Sequence, residues 1–204
     1  IVGATGSGKT SLINLLCRFY DFQSGQILID GIDIRKINQF SLREKIALVM
    51  QDVFLFSRSV SENISLGNSE ISETDIIESA KALGAYDFIN NLPNKFLTEV
   101  SERGQTLSAG QSQLISFCRA YASNPSLLIL DEATSSIDTE TEKIIENSLE
   151  ILLRNKTSIV IAHRLSTIKR ANKIIVLHKG EIREIGTHQE LLENNGIYAK
   201  LYEL

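Results

Sequence analysis

Near its beginning the chain runs Gly3-Ala4-Thr5-Gly6-Ser7-Gly8-Lys9-Thr10, which satisfies the pattern G-x-x-x-x-G-K-[ST]. This spacing predicts a strand, a tight glycine turn and a helix in immediate succession. The glycines let the backbone wrap so that its N–H groups converge on phosphate oxygens. Apolar residues at Leu12, Leu15, Leu16 and Phe19 predict a helix that starts inside the loop and aims its positive end at the same anion. Lys9 can then reach the β- and γ-phosphates of a nucleotide, and the Thr10 hydroxyl can ligate Mg²⁺. The bland alternative is a glycine-rich turn before an ordinary helix. Average composition makes a chance match in a chain of this length an event on the order of one in a hundred, and the placement between strand and helix lowers it further.

A second feature lies at Leu127-Leu128-Ile129-Leu130-Asp131-Glu132, an apolar run that ends in two acids. Carboxylates at the carboxyl end of a buried strand lie where α/β folds bind their ligands. Asp131 suits a Mg²⁺ shell and Glu132 suits a general base that polarises an attacking water. Alone, a strand running into a solvated acidic turn explains the run equally well; the phosphate loop favours the functional reading. Between the two features, Ser108 and Gln111 form a Ser-x-x-Gln capping box before a helix with apolar residues at Leu114, Phe117, Cys118 and Tyr121. On its own this is a common helix cap. It also offers a second helix N-terminus, with a hydroxyl and backbone N–H groups able to hold a phosphate.

The 204 residues suffice for one domain with a real core. A net charge of −4 and a pI near 5.5 argue against nucleic acid as partner. No apolar run approaches the roughly 20 residues that a membrane-spanning helix requires. Cys17 and Cys118 sit in apolar helical contexts and read as reduced core residues. Ile1-Val2 before Gly3 is too short for a buried strand, so we expect the chain to be a fragment that begins inside its first strand.

Residues 1–55 mix strands with one helix: Gly25–Gly31 and Ile46–Val49 are the strand candidates. Residues 56–124 read as mostly helical, with Ile76, Ile77, Ala80 and Leu83 at helical spacing. Beyond 125, Leu127–Leu130 and Ser158–Ile161 look like parallel strands buried on both faces. Ile174–Leu177, Lys179-Gly180 and Ile182–Ile185 predict a hairpin, and Thr187–Glu190 predicts a capped final helical segment. The expected fold class is α/β, with a helical insertion rather than two independent domains.

Together these residues resemble the ABC ATPase family over essentially the whole chain. Gly3–Thr10 and the adjoining Ser11 match its phosphate loop, Gln51 its glutamine loop, and Leu107–Gln111 its signature sequence. Leu127–Glu132 matches its acidic strand, Ser135–Asp138 the loop that follows, and His163 its switch histidine. The resemblance implies a phosphate-loop NTPase (RecA-like) core at 1–55 and 125–204, with a mixed, mainly parallel sheet and a helical subdomain near 56–124. It also implies Mg-ATP hydrolysis in a dimer. Lys9, Thr10, Gln51, Asp131, Glu132 and His163 would serve one nucleotide, with Thr10, Gln51 and Asp131 near the metal. Ser108, Gly110 and Gln111 would serve the nucleotide held by a second ABC domain.

Glu99–Gly104 and the run Gln51–Phe56, continuing to Glu62-Asn63-Ile64, resemble exporter members, which implies a transmembrane domain as partner and a place at the cytoplasmic face of a membrane. The bland reading of the same segments is a charged surface loop and a core aromatic pair. Importer-type, soluble and non-hydrolysing sensor members are the rival readings. Ala109 stands where the family has a glycine; its methyl is expected to be tolerated if the backbone stays helical. The family's adenine-stacking aromatic lies upstream of the phosphate loop, outside this chain.

Overall fold

The structure is a computed structural model that describes residues 1–100, 107–131, 139–161 and 165–202, with only the backbone for residues 139, 140, 165 and 166. The glycine loop leads into α1 (Lys9–Leu16), followed by β1 (Leu28–Ile29), β2 (Ile32–Asp33), α2 (Gln39–Glu44) and β3 (Ile46–Val49). Next, among the described residues, come α3 (Val60–Ser65), α4 (Glu73–Ala82), α5 (Tyr86–Asn90) and α6 (Ala109–Ala122). The chain continues through β4 (Leu127–Asp131), α7 (Thr139–Leu153), β5 (Thr157–Ile161) and α8 (Leu165–Lys169). It closes with β6 (Ile174–His178), β7 (Glu181–Gly186), α9 (His188–Glu193) and α10 (Ile197–Tyr202). Strands β3, β4 and β5 form a sheet in that order, while β1–β2 and β6–β7 are antiparallel pairs.

The chain divides into two compact units. The first comprises residues 1–46, 129–133 and 159–204. In it the expected strand at Gly25–Gly31 is instead half of a hairpin: Asp30 and Gly31 take φ of 49° and 78°, the paired left-handed angles of a type I′ turn. The second hairpin repeats the device, with φ of 52° at Lys179 and 79° at Gly180 between β6 and β7. Around β6 lies an apolar cluster of Val2, Ile174, Val176, Leu191 and Tyr198. Glu184 of β7 accepts N–H bonds from Ile197 and Tyr198, the latter at 3.0 Å, and so caps α10.

The second unit, residues 47–128 and 134–158, is mostly helical. Ile64, Ala80, Leu83, Ile89, Ile115, Cys118 and Leu152 are almost fully buried in it. The helices begin where local chemistry lets them: Ser59, Ser72 and Ser108 each form a complete capping box. Ser148 of α7 donates its hydroxyl to Leu83 O at 2.7 Å, tying α7 to the end of α4. Cys118 is enclosed, and burial pushes its thiol pKa up to about 12. Cys17, in the first unit, is also buried, and both cysteines are free.

Asn63 is wholly buried, and its carboxamide works as a clip. Its oxygen accepts the Phe56 N–H at 2.8 Å, while its nitrogen donates to Phe56 O at 3.0 Å and Ser59 O at 3.1 Å. Arg119 Nε donates to Asn63 O at 2.8 Å, joining α6 to the same network. Asn63→Ala strands these groups, and we expect a loss of about 2 kcal/mol in urea unfolding. A loss indistinguishable from zero would mean that water replaces the carboxamide without cost.

β4 is buried as a central strand should be, with Leu128, Ile129 and Leu130 at most 2% exposed. β5 departs from expectation: Thr157 and Ser158 are exposed, and of its apolar residues only Ile161 is buried. An apolar run alone does not say how far a strand is covered on each face.

Candidate functional site

The phosphate loop is held from below by the end of β6. Val2 pairs in parallel with Val176: its N–H donates to Ile175 O, and its carbonyl accepts from Leu177 N–H, both at 2.9 Å. Gly3 then passes so close to the strand that a Cβ there would stand 2.2 Å from Leu177 O. Ser7 N–H donates to Ala4 O at 3.1 Å, curling the loop, and Ser7 O accepts from Gly180 N–H at 3.0 Å. Gly8 ends the loop with φ 103°, in a left-handed conformation that glycine adopts without cost.

Gly8 is also the N-cap of α1, and no side chain caps that helix. No acidic residue occupies its first turn. The first N–H groups of any α-helix lack intrahelical partners. The Lys9 side chain is buried and folds back over the loop, its Nζ donating to Gly3 O at 2.7 Å and Ala4 O at 3.1 Å. Burial lowers the Lys9 pKa, and the Asp131 carboxylate opposes that shift. Asp131 is the last residue of β4 and is half-buried. Ser7 is 3% exposed, and its Oγ has no hydrogen-bond partner among the described residues. Ala4, Thr5, Gly6, Thr10 and Ser11 are exposed. An uncapped helix start, a buried ammonium and a nearby carboxylate form a site for a polyanion accompanied by a cation.

Gln51, two residues beyond β3, is exposed in the second unit. Ser108 is exposed at the N-cap of α6, where its hydroxyl accepts the Gln111 N–H at 3.2 Å and Gln111 Oε1 accepts the Ser108 N–H at 3.0 Å. Ala109 is the first residue of this helix and is exposed, so its methyl meets the condition of a helical backbone; Gly110 is buried. Glu132, His163, the Ser135–Asp138 loop and residues 101–104 of the exporter-like segment lie outside the described residues.

The structure departs from the sequence pattern at two points. The helix predicted through Phe19 ends at Leu16; its buried residues are Lys9 and Ile13, with Cys17 buried at its C-cap, while Leu12 and Phe19 are exposed. Arg43 explains Phe19: its guanidinium lies 5.0 Å from the centre of that ring and covers part of it. Phe54 and Phe56 do meet edge to face at 4.9 Å, yet both are exposed, so they are not the core pair of the bland reading. Sequence reasoning missed the support given by Leu177 and Gly180. The turn signal at Lys179-Gly180 was visible, but nothing local tied it to the phosphate loop.

A phosphate loop fastened to a strand, with a buried lysine and a strand-end carboxylate, defines a nucleotide-binding α/β protein of the phosphate-loop type. The description of the ABC transporter family matches residues 1–135. The chain is 51% identical over 203 residues to proteins of Staphylococcus aureus strains NCTC 8325 and COL named as multidrug export ATP-binding/permease proteins. Those alignments cover 100% of this chain and 35% of each relative. Among solved structures, a bacterial Atm1-family ABC exporter with ATP bound matches with a TM-score of 0.90 at 42% identity, over 99% of this chain and 35% of that one. The chain belongs to the ABC transporter family, and it spans about a third of the length of these relatives.

Proposed function

We propose that this chain binds Mg-ATP and hydrolyses it to ADP and phosphate as the motor domain of an ABC exporter. The observation that carries the reading is the buried Lys9 ammonium beside the uncapped start of α1, with Asp131 near enough to influence its protonation. The β- and γ-phosphates would be held by the loop amides from Gly6 to Ser11 and by Lys9. Thr10, Asp131 and Gln51 are oxygen donors of the hard kind that Mg²⁺ prefers, and they would hold that ion. When bound, Mg²⁺ would neutralise charge on the phosphates. Glu132 would accept a proton from the attacking water, and His163 would hold the γ-phosphate.

Ser108, Gly110 and Gln111 at the start of α6 would hold the nucleotide of a second ABC domain, identical or divergent. Residues near 56–124 would be the helical subdomain inserted in the ATP-binding core. Identity to the export proteins, together with the segments at Gln51–Phe56 and Glu99–Gly104, supports coupling to a transmembrane domain at the cytoplasmic face of a membrane. No helix among the described residues is long and apolar enough to cross a membrane, so on this reading the spans belong to the partner domain.

Glu132→Gln tests the chemistry. We expect ATP turnover to fall at least about 10²-fold, the low end for loss of a general base, while ATP is still bound. Light scattering of this variant with ATP and Mg²⁺ should show dimers that disappear when nucleotide is withheld. Near-normal turnover would remove Glu132 from its assigned role.

A further inference from the structure

We propose that the turn between β6 and β7 is a positioning element for the phosphate loop, and that Gly180 is its key residue. This rests on the reading of the loop as a nucleotide site. The Ser7–Gly8 peptide is planar and trans, so its C=O and N–H point in opposite directions. Gly180 N–H donates to Ser7 O at 3.0 Å and holds that carbonyl toward the turn. The Gly8 N–H is therefore directed away from the turn, at the uncapped start of α1 where an anion is attracted. A rotated peptide would present a carbonyl oxygen to phosphate instead.

The geometry of the turn is set for this bond. Lys179 and Gly180 are the two central residues of the hairpin, between the last paired residues His178 and Glu181. Gly180 has φ 79°, and a Cβ built on it would meet nothing within 4 Å among the described residues. The position demands a residue that tolerates the left-handed angle, as glycine does, and does not demand space. On the other side, Gly8 approaches closely: a Cβ there would lie 3.7 Å from Gly180 Cα. With the Val2–Val176 bridge and the passage of Gly3 over Leu177 O, the loop is held to one hairpin at both ends. The hairpin is anchored in turn, since Glu184 of β7 caps α10.

The test uses the full chain and MgADP as probe, with affinity measured by equilibrium binding and stability by thermal unfolding without nucleotide. Gly180→Val forces the turn out of its left-handed angle, and we expect MgADP affinity to fall about tenfold, the scale of one hydrogen bond. Gly180→Asn should retain affinity near that of the unaltered chain, because asparagine tolerates the left-handed region. A merely structural turn would lower the unfolding temperature of the nucleotide-free protein and leave the affinity of the folded protein unchanged. Replacing the Lys179–Gly180 amide by an ester removes this N–H, and weakens the Lys179 carbonyl as an acceptor, without changing any side chain, which keeps the test decisive if the valine variant does not fold. Unchanged MgADP affinity in the ester variant overturns the proposal and leaves the nucleotide reading intact. Failure of the unaltered chain to bind MgADP would overturn both.

Discussion

Lys9→Ala is expected to lower ATP turnover by about 10²–10³-fold, the usual loss when one preorganised charge-stabilising donor is removed. The side chain is buried, so its charge acts in a medium that screens poorly. Burial alone would favour the neutral amine, and the Asp131 carboxylate works against that shift. The Gly3 and Ala4 carbonyls, 2.7 and 3.1 Å from Nζ, hold the ammonium over the loop, where a phosphate would lie. Affinity for MgADP should fall as well, since the ammonium attracts phosphate as a point charge before any chemistry occurs. Lys9→Arg should not restore activity, because the planar guanidinium is larger and directs its donors differently. Steady-state phosphate release and nucleotide binding check both statements. Turnover within a few fold of the unaltered chain would show that the γ-phosphate is stabilised elsewhere.

The second large effect is on folding. Gly3→Ala places a methyl 2.2 Å from Leu177 O and 2.7 Å from Ser7 Oγ, at a φ of 154°. The loop cannot simply lift away, because the Val2 N–H and C=O are both bonded to the β6 strand at 2.9 Å. Either that pairing breaks or the methyl is forced against a backbone oxygen. We expect a destabilisation of about 3 kcal/mol, the range of a strained or overpacked backbone site. Gly6→Ala is the informative comparison. Among the described residues its Cβ would meet nothing within 4 Å, so there only the left-handed φ of 78° opposes it. That variant should cost about 1–2 kcal/mol. Urea unfolding of the two variants separates steric clash from backbone angle, and equal losses would refute the close approach of Gly3 to Leu177.

Both predictions concern one short glycine loop, which a hairpin distant in sequence holds in place. Ser7 shows the consequence at a single residue. Its side chain is buried without a hydrogen-bond partner among the described residues, while its N–H and C=O are both engaged. The backbone of the loop is thus held by its own turn and by Gly180, and no side chain among the described residues caps the start of α1.

What could be read from the sequence has a common physical character. The glycine loop before α1, the capping boxes at Ser108–Gln111 and Thr187–Glu190, the hairpin turn at Lys179-Gly180 and the apolar strand at Leu127–Leu130, buried at all but Leu127, appear in the structure where they are expected. Each depends on interactions across a few residues, or on an apolar stretch with too little polarity to be left in water. The tertiary structure decided matters of partnership. It ended α1 at Leu16, before Phe19, and it buried Ile13 and the C-cap Cys17 while leaving Leu12 and Phe19 exposed. It divided the Gly25–Gly31 run by a turn, and it left Phe54 and Phe56 exposed although both are aromatic. It also brought Leu177 and Gly180 against Gly3 and Ser7, across more than 170 positions of chain. No local pattern encodes such a meeting, because a backbone N–H and a backbone carbonyl are present at nearly every residue. Only the path of the chain determines which two of them come within bonding distance.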